Sequence, residues 1–160
     1  MKKNKIIIAI LMIVFLVSCN DKEYIAPNEF SDVTWYTSLP TASLMTIQAG
    51  KYISFMDLSV GALSHEWIIE KQNYFLKPVF SANDSLPLFI DHTLDTICTA
   101  KTIHALFTTA GISKVRLRNT FSEPVTYKAA KPLKAVQEGN VWVIDTTFVY
   151  TVTPVAAAQP

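Results

Sequence analysis

The sequence predicts an all-β protein built as an antiparallel β-sandwich, and three observations carry that expectation. Apolar and polar residues alternate with period two through most of the chain from residue 33 onward, the alternating runs are rich in Thr, Val, Ile, Phe, Tyr and Trp, and turn-forming residues interrupt them at short intervals. No stretch beyond residue 30 carries a sustained apolar stripe at helical spacing, so the helical crossovers that a parallel sheet requires are not in sight.

Taken in order, the runs that satisfy these criteria are Val33 to Ser38, Tyr52 to Leu58, Glu66 to Glu70, Tyr74 to Val79, Leu86 to Ile90, Thr102 to Phe107, Lys114 to Asn119, Val125 to Lys128, Val141 to Ile144 and Thr147 to Val152. Between them stand the turn signals Ala49-Gly50, Gly61, Asn83-Asp84, Ala110-Gly111, Ser122-Glu123-Pro124 and Glu138-Gly139-Asn140. The run from Lys114 is the clearest. Lys114, Arg116 and Arg118 belong to one face and Val115, Leu117 and Asn119 to the other, so the charged side is expected toward solvent and the apolar side toward the core.

Composition narrows the function. Half of the 160 residues are hydrophobic, 17% are charged, four are glycine and the formal charge is +1. A disordered chain, a collagen and a strongly basic nucleic-acid binder are all excluded by those figures.

The first residues form an address. Met1-Lys2-Lys3-Asn4-Lys5 carries three lysines, and Ile6 to Val17 follows as twelve residues without a charge or a hydrogen-bonding side chain. That is the layout of a secretory signal peptide, and it is shorter than the roughly 20 residues a spanning helix needs. The stretch closes with Leu16-Val17-Ser18-Cys19, which resembles the lipobox of bacterial lipoproteins, with Leu three residues before an invariant Cys. The resemblance implies cleavage after Ser18 and lipidation of Cys19 by a diacylglycerol and a further acyl chain. Several chains, at about 0.8 kcal/mol per buried methylene, make a lasting membrane anchor.

Removing residues 1 to 18 leaves 142 residues and takes three of the 14 basic side chains with it, so 11 stand against 13 acids and the formal charge becomes −2. No basic surface for nucleic acid is left. Asn20-Asp21-Lys22-Glu23, just after Cys19, resembles a diluted form of the acidic tract that directs some outer-membrane lipoproteins to the cell surface. Cys98 is then the one remaining cysteine, so no intramolecular disulfide is expected. Its apolar setting predicts a buried, inert thiol.

Tyr52-Ile53-Ser54-Phe55-Met56-Asp57-Leu58-Ser59, then Glu66-Trp67-Ile68-Ile69, then the run from Thr102 through Gly111 to Asn119, together resemble a PKD domain over roughly residues 50 to 121. In that immunoglobulin-like family an early strand reads roughly Phe-Asp-hydrophobic-Ser, a Trp stands on the next strand, and a late strand pair carries Phe, a Gly, then alternating Val and Leu ending in Asn. Phe55, Trp67, Phe107, Gly111, Val115, Leu117 and Asn119 match in order. Ile68-Ile69-Glu70-Lys71 stands where the family usually turns with Gly-Asp-Gly, and Ile112 where an aromatic is common. The resemblance implies an immunoglobulin-like sandwich, and a place among lipoproteins of glycan-foraging Gram-negative bacteria. The matched residues have structural work: Trp67 between the sheets, Gly111 at positive φ, and Asn119 bonding its own backbone at a strand end.

Chemistry-bearing patterns are sparse. His65-Glu66 lacks the second His of a zinc-protease helix, and Asp91-His92-Thr93-Leu94-Asp95 reads as a loop whose aspartates serve turns. His104 alternates with Ile103 and Ala105 as a face residue, and Lys128, Lys131 and Lys134 around Pro132 read as a solvated loop. Trp35-Tyr36, Tyr74-Phe75 and Trp142 are the aromatics that could stack a sugar ring if they faced outward.

The expected organisation is therefore a lipoprotein signal peptide over 1–18, a lipidated Cys19 and tether over 19–30, a PKD-like sandwich over 31–153 and a tail or linker over 154–160. No catalytic residue, metal or cofactor is expected. The expected partners are the membrane, through the N-terminal lipid, and a glycan or a glycan-uptake protein. The alternative readings are a direct carbohydrate binder using exposed aromatics and an adhesin or assembly subunit.

Overall fold

The computed structural model describes residues 33–39, 45–81, 83–129 and 131–155. The signal peptide, Cys19, the tether and the end of the tail lie outside the described residues. In chain order the strands are β1 (Trp35–Thr37), β2 (Thr46–Gln48), β3 (Lys51–Asp57), β4 (Ser64–Ile69), β5 (Asn73–Phe75), β6 (Ile97–Cys98), β7 (Thr102–Phe107), β8 (Gly111–Phe121), β9 (Thr126–Tyr127), β10 (Leu133–Lys134), β11 (Val136–Glu138) and β12 (Val141–Thr153). A 3-10 turn, Leu86–Phe89, lies between β5 and β6.

Two sheets face each other. The first runs β1-β3-β7-β5 and the second β11-β12-β8-β4-β6, with β2 lying parallel to the end of β12 and β9–β10 forming a separate small hairpin. The chain thus pairs first with the edge of one sheet, through β1, and then with the other sheet, through β2. Such a layout is an antiparallel β-sandwich compatible with an immunoglobulin-like domain.

Several elements differ from expectation for identifiable reasons. Leu86 to Ile90 is not a strand: Pro87 has no N–H to give a ladder, and the run tightens into a 3-10 turn in which Leu88 N donates to Ser85 O. The strand expected from Tyr74 to Val79 stops at Phe75 because Pro78 follows, although Leu76 still bridges to Ile90. Val141 to Ile144 and Thr147 to Val152 are one strand, β12, paired to β8 from Trp142↔Phe121 through Val152↔Gly111. Asp145, the charge that separates the two runs in the sequence, belongs to the outward row and receives a bidentate pair of hydrogen bonds from Arg116.

The core lies between the sheets. Ile53, Phe55, Phe75, Ile103, Ala105 and Phe107 face it from one side, and Trp67, Ile69, Val115, Leu117, Phe148 and Tyr150 from the other. Trp67 is fully buried on β4, with its ring 5.4 Å from Phe55 and 6.2 Å from Phe148, while Phe55 and Phe148 are 5.6 Å apart. A second, smaller cluster of Val33, Phe121, Val125 and Ile144 closes one end. Lys114 and Arg116 are exposed on the outer face and Arg118 is half-buried there, as the alternation of β8 required. Gly50, Gly61, Gly111 and Gly139 all have positive φ at the turns expected of them.

Trp67→Ala should therefore cost about 3–5 kcal/mol, the usual penalty for deleting a buried aromatic. Tyr36→Ala, on the outer face of the first sheet with 56% of the residue exposed, should shift stability by less than about 0.5 kcal/mol. Urea unfolding of the two variants beside the parent checks both.

Candidate functional site

The inner row of β8 reads Ser113, Val115, Leu117, Asn119, Phe121, and all five are buried. At one end, Asn73 on β5 donates through Nδ2 to Ser113 Oγ at 2.6 Å, linking the two sheets. Toward the other, Asn119 Nδ2 donates to Asp57 Oδ2 and to Ser59 Oγ, each at 3.1 Å, while Ser59 N donates to Asp57 Oδ1 at 3.0 Å. Ser59 Oγ also exchanges hydrogen bonds with the Thr34 backbone. Asn119 is thus not a strand-end residue bonding its own backbone. It lies within an eleven-residue strand and holds a carboxylate of the facing sheet that is only 2% exposed. Across β4, register places His65 directly opposite Asn119, and His65 Nε2 and Asn119 Oδ1 are each buried without a hydrogen-bond partner among the described residues.

A cavity of about 140 Å³ opens where the segment after β5 crosses to β6. Its floor is Phe75, Leu76, Cys98 and Ile103, all buried, and its rim includes Asp91, Leu94, Ala100, Thr102 and His104. Backbone bonds fix these walls: Leu76 N donates to His104 O at 2.9 Å, Asp91 N to Phe75 O at 2.9 Å, and Lys77 N to Phe89 O at 2.8 Å. Asp91 folds its own loop, accepting Thr93 Oγ1 at 2.6 Å and Thr93 N at 3.0 Å on Oδ1. Those bonds hold its carboxyl below the usual carboxylate range. His104 shares a 2.8 Å hydrogen bond with Ser54 Oγ through Nδ1, beneath the edges of Tyr52 and Phe80, and burial lowers its basicity.

The aromatics singled out from the sequence do not assemble into a platform. Trp67 is in the core. Trp35 stacks on Tyr127 at 3.9 Å with its edge toward Phe148, and Trp142 packs half-buried against the end cluster. Of the two remaining pairs, Phe75 is buried, whereas Tyr36 and Tyr74 are exposed on strands at opposite edges of the first sheet. Cys98 is buried and free, as its surroundings predicted. Among the described residues, no three His, Cys, Asp or Glu side chains gather as metal ligands would. Cys19, the one modification site expected, lies outside the described residues.

The cavity itself was not legible in the sequence. Asp91 and His104 are noticed separately, and it is the segment at Phe75 and Leu76 that joins them, bonding Asp91 N on one side and His104 O on the other. Neither a protein-family model nor a curated protein matches the chain. What the geometry defines is thus a class: an antiparallel β-sandwich, compatible with an immunoglobulin-like domain, that carries a small preformed cleft on one flank.

Two outcomes are expected. Asn119→Ala leaves the Asp57 carboxylate buried without its cross-sheet donor and should cost about 2–4 kcal/mol, measured by urea unfolding. His104 binds a proton less readily folded than unfolded, so its neutral form favours the native state at neutral pH. That advantage should decline as pH falls below the ordinary value of 6.5 toward the lower folded value. His104→Gln should therefore lose less stability than the parent between pH 7 and pH 5, as read from unfolding midpoints at each pH.

Proposed function

We propose that this protein is a surface-anchored lipoprotein of a Gram-negative outer membrane, whose PKD-like sandwich is a noncatalytic spacer or interaction module in glycan capture or uptake. The observation that carries the reading is where the chain enters and leaves the sandwich. β1 begins beside Asp57, with Leu58 N donating to Thr34 O, at the far end of β3 from Lys51. β12 ends beside Ala49, whose N–H donates to Thr153 O. The chain therefore comes in at one end of the sandwich and goes out at the other, roughly 25 to 30 Å away at about 3.4 Å per strand residue. A module threaded in that way keeps the segments on its two sides apart.

Three further features support the reading. The residues that carry the PKD resemblance converge, with Phe55 against Trp67 and Asn119 tied to Asp57 and Ser59. The three tryptophans are spent on packing rather than offered to a sugar ring. The lipobox at Leu16 to Cys19 supplies the anchor.

Metabolic labelling with a palmitate analogue in a Gram-negative host tests the anchor: the parent should take up label and Cys19→Ala should not. A glycan array probed with the full chain tests the module. The spacer reading expects no glycan retained by the chain alone, and specific retention that Trp35→Ala or Trp142→Ala removes without unfolding would replace it with direct recognition.

A further inference from the structure

We propose that the cleft lined by Leu76, Asp91, Cys98 and His104 binds a primary ammonium group on a short aliphatic stem, a function separate from the spacer reading and not dependent on it. The cleft has two distinct parts. Its floor of Phe75, Leu76, Cys98 and Ile103 is buried and apolar, and its rim carries Asp91, Thr102 and His104.

Charge selects the guest. Among the described residues Asp91 is the only acidic side chain of the lining and no Lys or Arg lines it, while burial lowers the basicity of His104. Both hydrogen bonds that Asp91 accepts from Thr93 fall on Oδ1, so among the described residues Oδ2 keeps its acceptor capacity. Lys77 and His92 act on the Asp91 carboxylate by charge but are not among the residues that line the cleft, so an anionic guest inside it would face the carboxylate without a cation in the lining to bind it. A neutral alcohol of the same shape would forgo the charge-assisted bond that an ammonium makes, which is roughly twice as strong as a neutral one.

Size selects the stem. A cavity of about 150 Å³ accommodates a benzene-sized guest, and this cleft, at about 140 Å³, suits a chain of about four carbons with its ammonium at the rim. The stem then covers apolar floor while the charge stays near water, as lysine side chains arrange themselves on protein surfaces. The walls need little adjustment, because the three backbone bonds at the feet of the crossing segment and the Asp91–Thr93 turn are already made. Such an ammonium is carried either by a free alkylamine or by a lysine side chain of a partner protein.

The test is an amide NMR titration of the full chain, with Cys19→Ser to keep it free of lipid, against n-butylammonium, n-butanol, butyrate and Nα-acetyl-lysine methylamide. Butylammonium should give saturable shifts at Leu76, Asp91, Leu94 and His104, and should bind at least tenfold more tightly than butanol or butyrate. Asp91→Asn should weaken it at least tenfold, since Asn retains the Oδ1 acceptor that Thr93 uses and loses only the charge. Ala100→Phe, which fills the rim from an exposed position, should abolish binding and serves if the first variant unfolds. A lysine derivative that binds within a few-fold of butylammonium assigns a partner's side chain as the source, and one that does not bind assigns free amines. Equal affinity for butanol, unchanged binding in a folded Asp91→Asn variant, or no saturable shift with butylammonium would each overturn the proposal.

Discussion

The structure depends on the inner row of β8, which is polar near both ends and apolar between them. Ser113 reaches Asn73 and Asn119 reaches Asp57, so two hydrogen-bonded clamps join the sheets on either side of Val115 and Leu117. Sliding β8 by two residues along its neighbours would press Asn119 or Ser113 against the aromatic core and take from Asp57 its cross-sheet donor. A buried polar group that loses such a partner costs about 1–3 kcal/mol, and burying an amide against the aromatic core adds to it. Hydrophobic burial drives the two sheets together, but the polar clamps decide how they align.

That alignment distributes the aromatic side chains. With Trp67 against Phe55, and Trp35 stacked on Tyr127 and edge-on to Phe148, the large rings are consumed in holding sheets and chain ends together. The outer face of the second sheet carries two ion pairs, Arg116 with Asp145 and Arg118 with Glu138, beside exposed aliphatic residues such as Ile112 and Val149. Exposed pairs of that kind contribute little stability, about 0–1 kcal/mol each, and their use is to keep the face of a sheet in water rather than against another chain. A rigid interior, a wetted outer face and a chain that runs from one end to the other suit a module that sets distance and orientation.

How much of this was legible depends on the range of each interaction. β3, β4, β7 and β8 announce themselves because each is six or more residues long and one face of each is buried, so alternation repeats enough to be seen. β2, β6, β10 and β11 are two or three residues each, too short for any period to register. Asn119 was placed on the correct face by the pattern Val115, Leu117, Asn119, yet its partner Asp57 is 62 residues away and nothing local names it. Pro87 carried the information that Leu86 to Phe89 could not join a ladder, and the apolar content of that run outweighed it. The cleft is the extreme case, because it exists only once the segments around Leu76, Asp91 and His104 have been brought together.

The proposed spacer role requires the sandwich to be a rigid unit with its incoming and outgoing chain at opposite ends. The most direct test is an electron–electron distance measurement on the full chain with Cys19→Ser and Cys98→Ala, spin-labelled through Leu58→Cys beside the incoming segment and Val155→Cys beyond the outgoing one, two positions exposed on the surface. A single narrow distribution centred between about 25 and 40 Å is expected, given strand spacing and label length. A broad distribution, or one centred below about 20 Å, would contradict the spacer role.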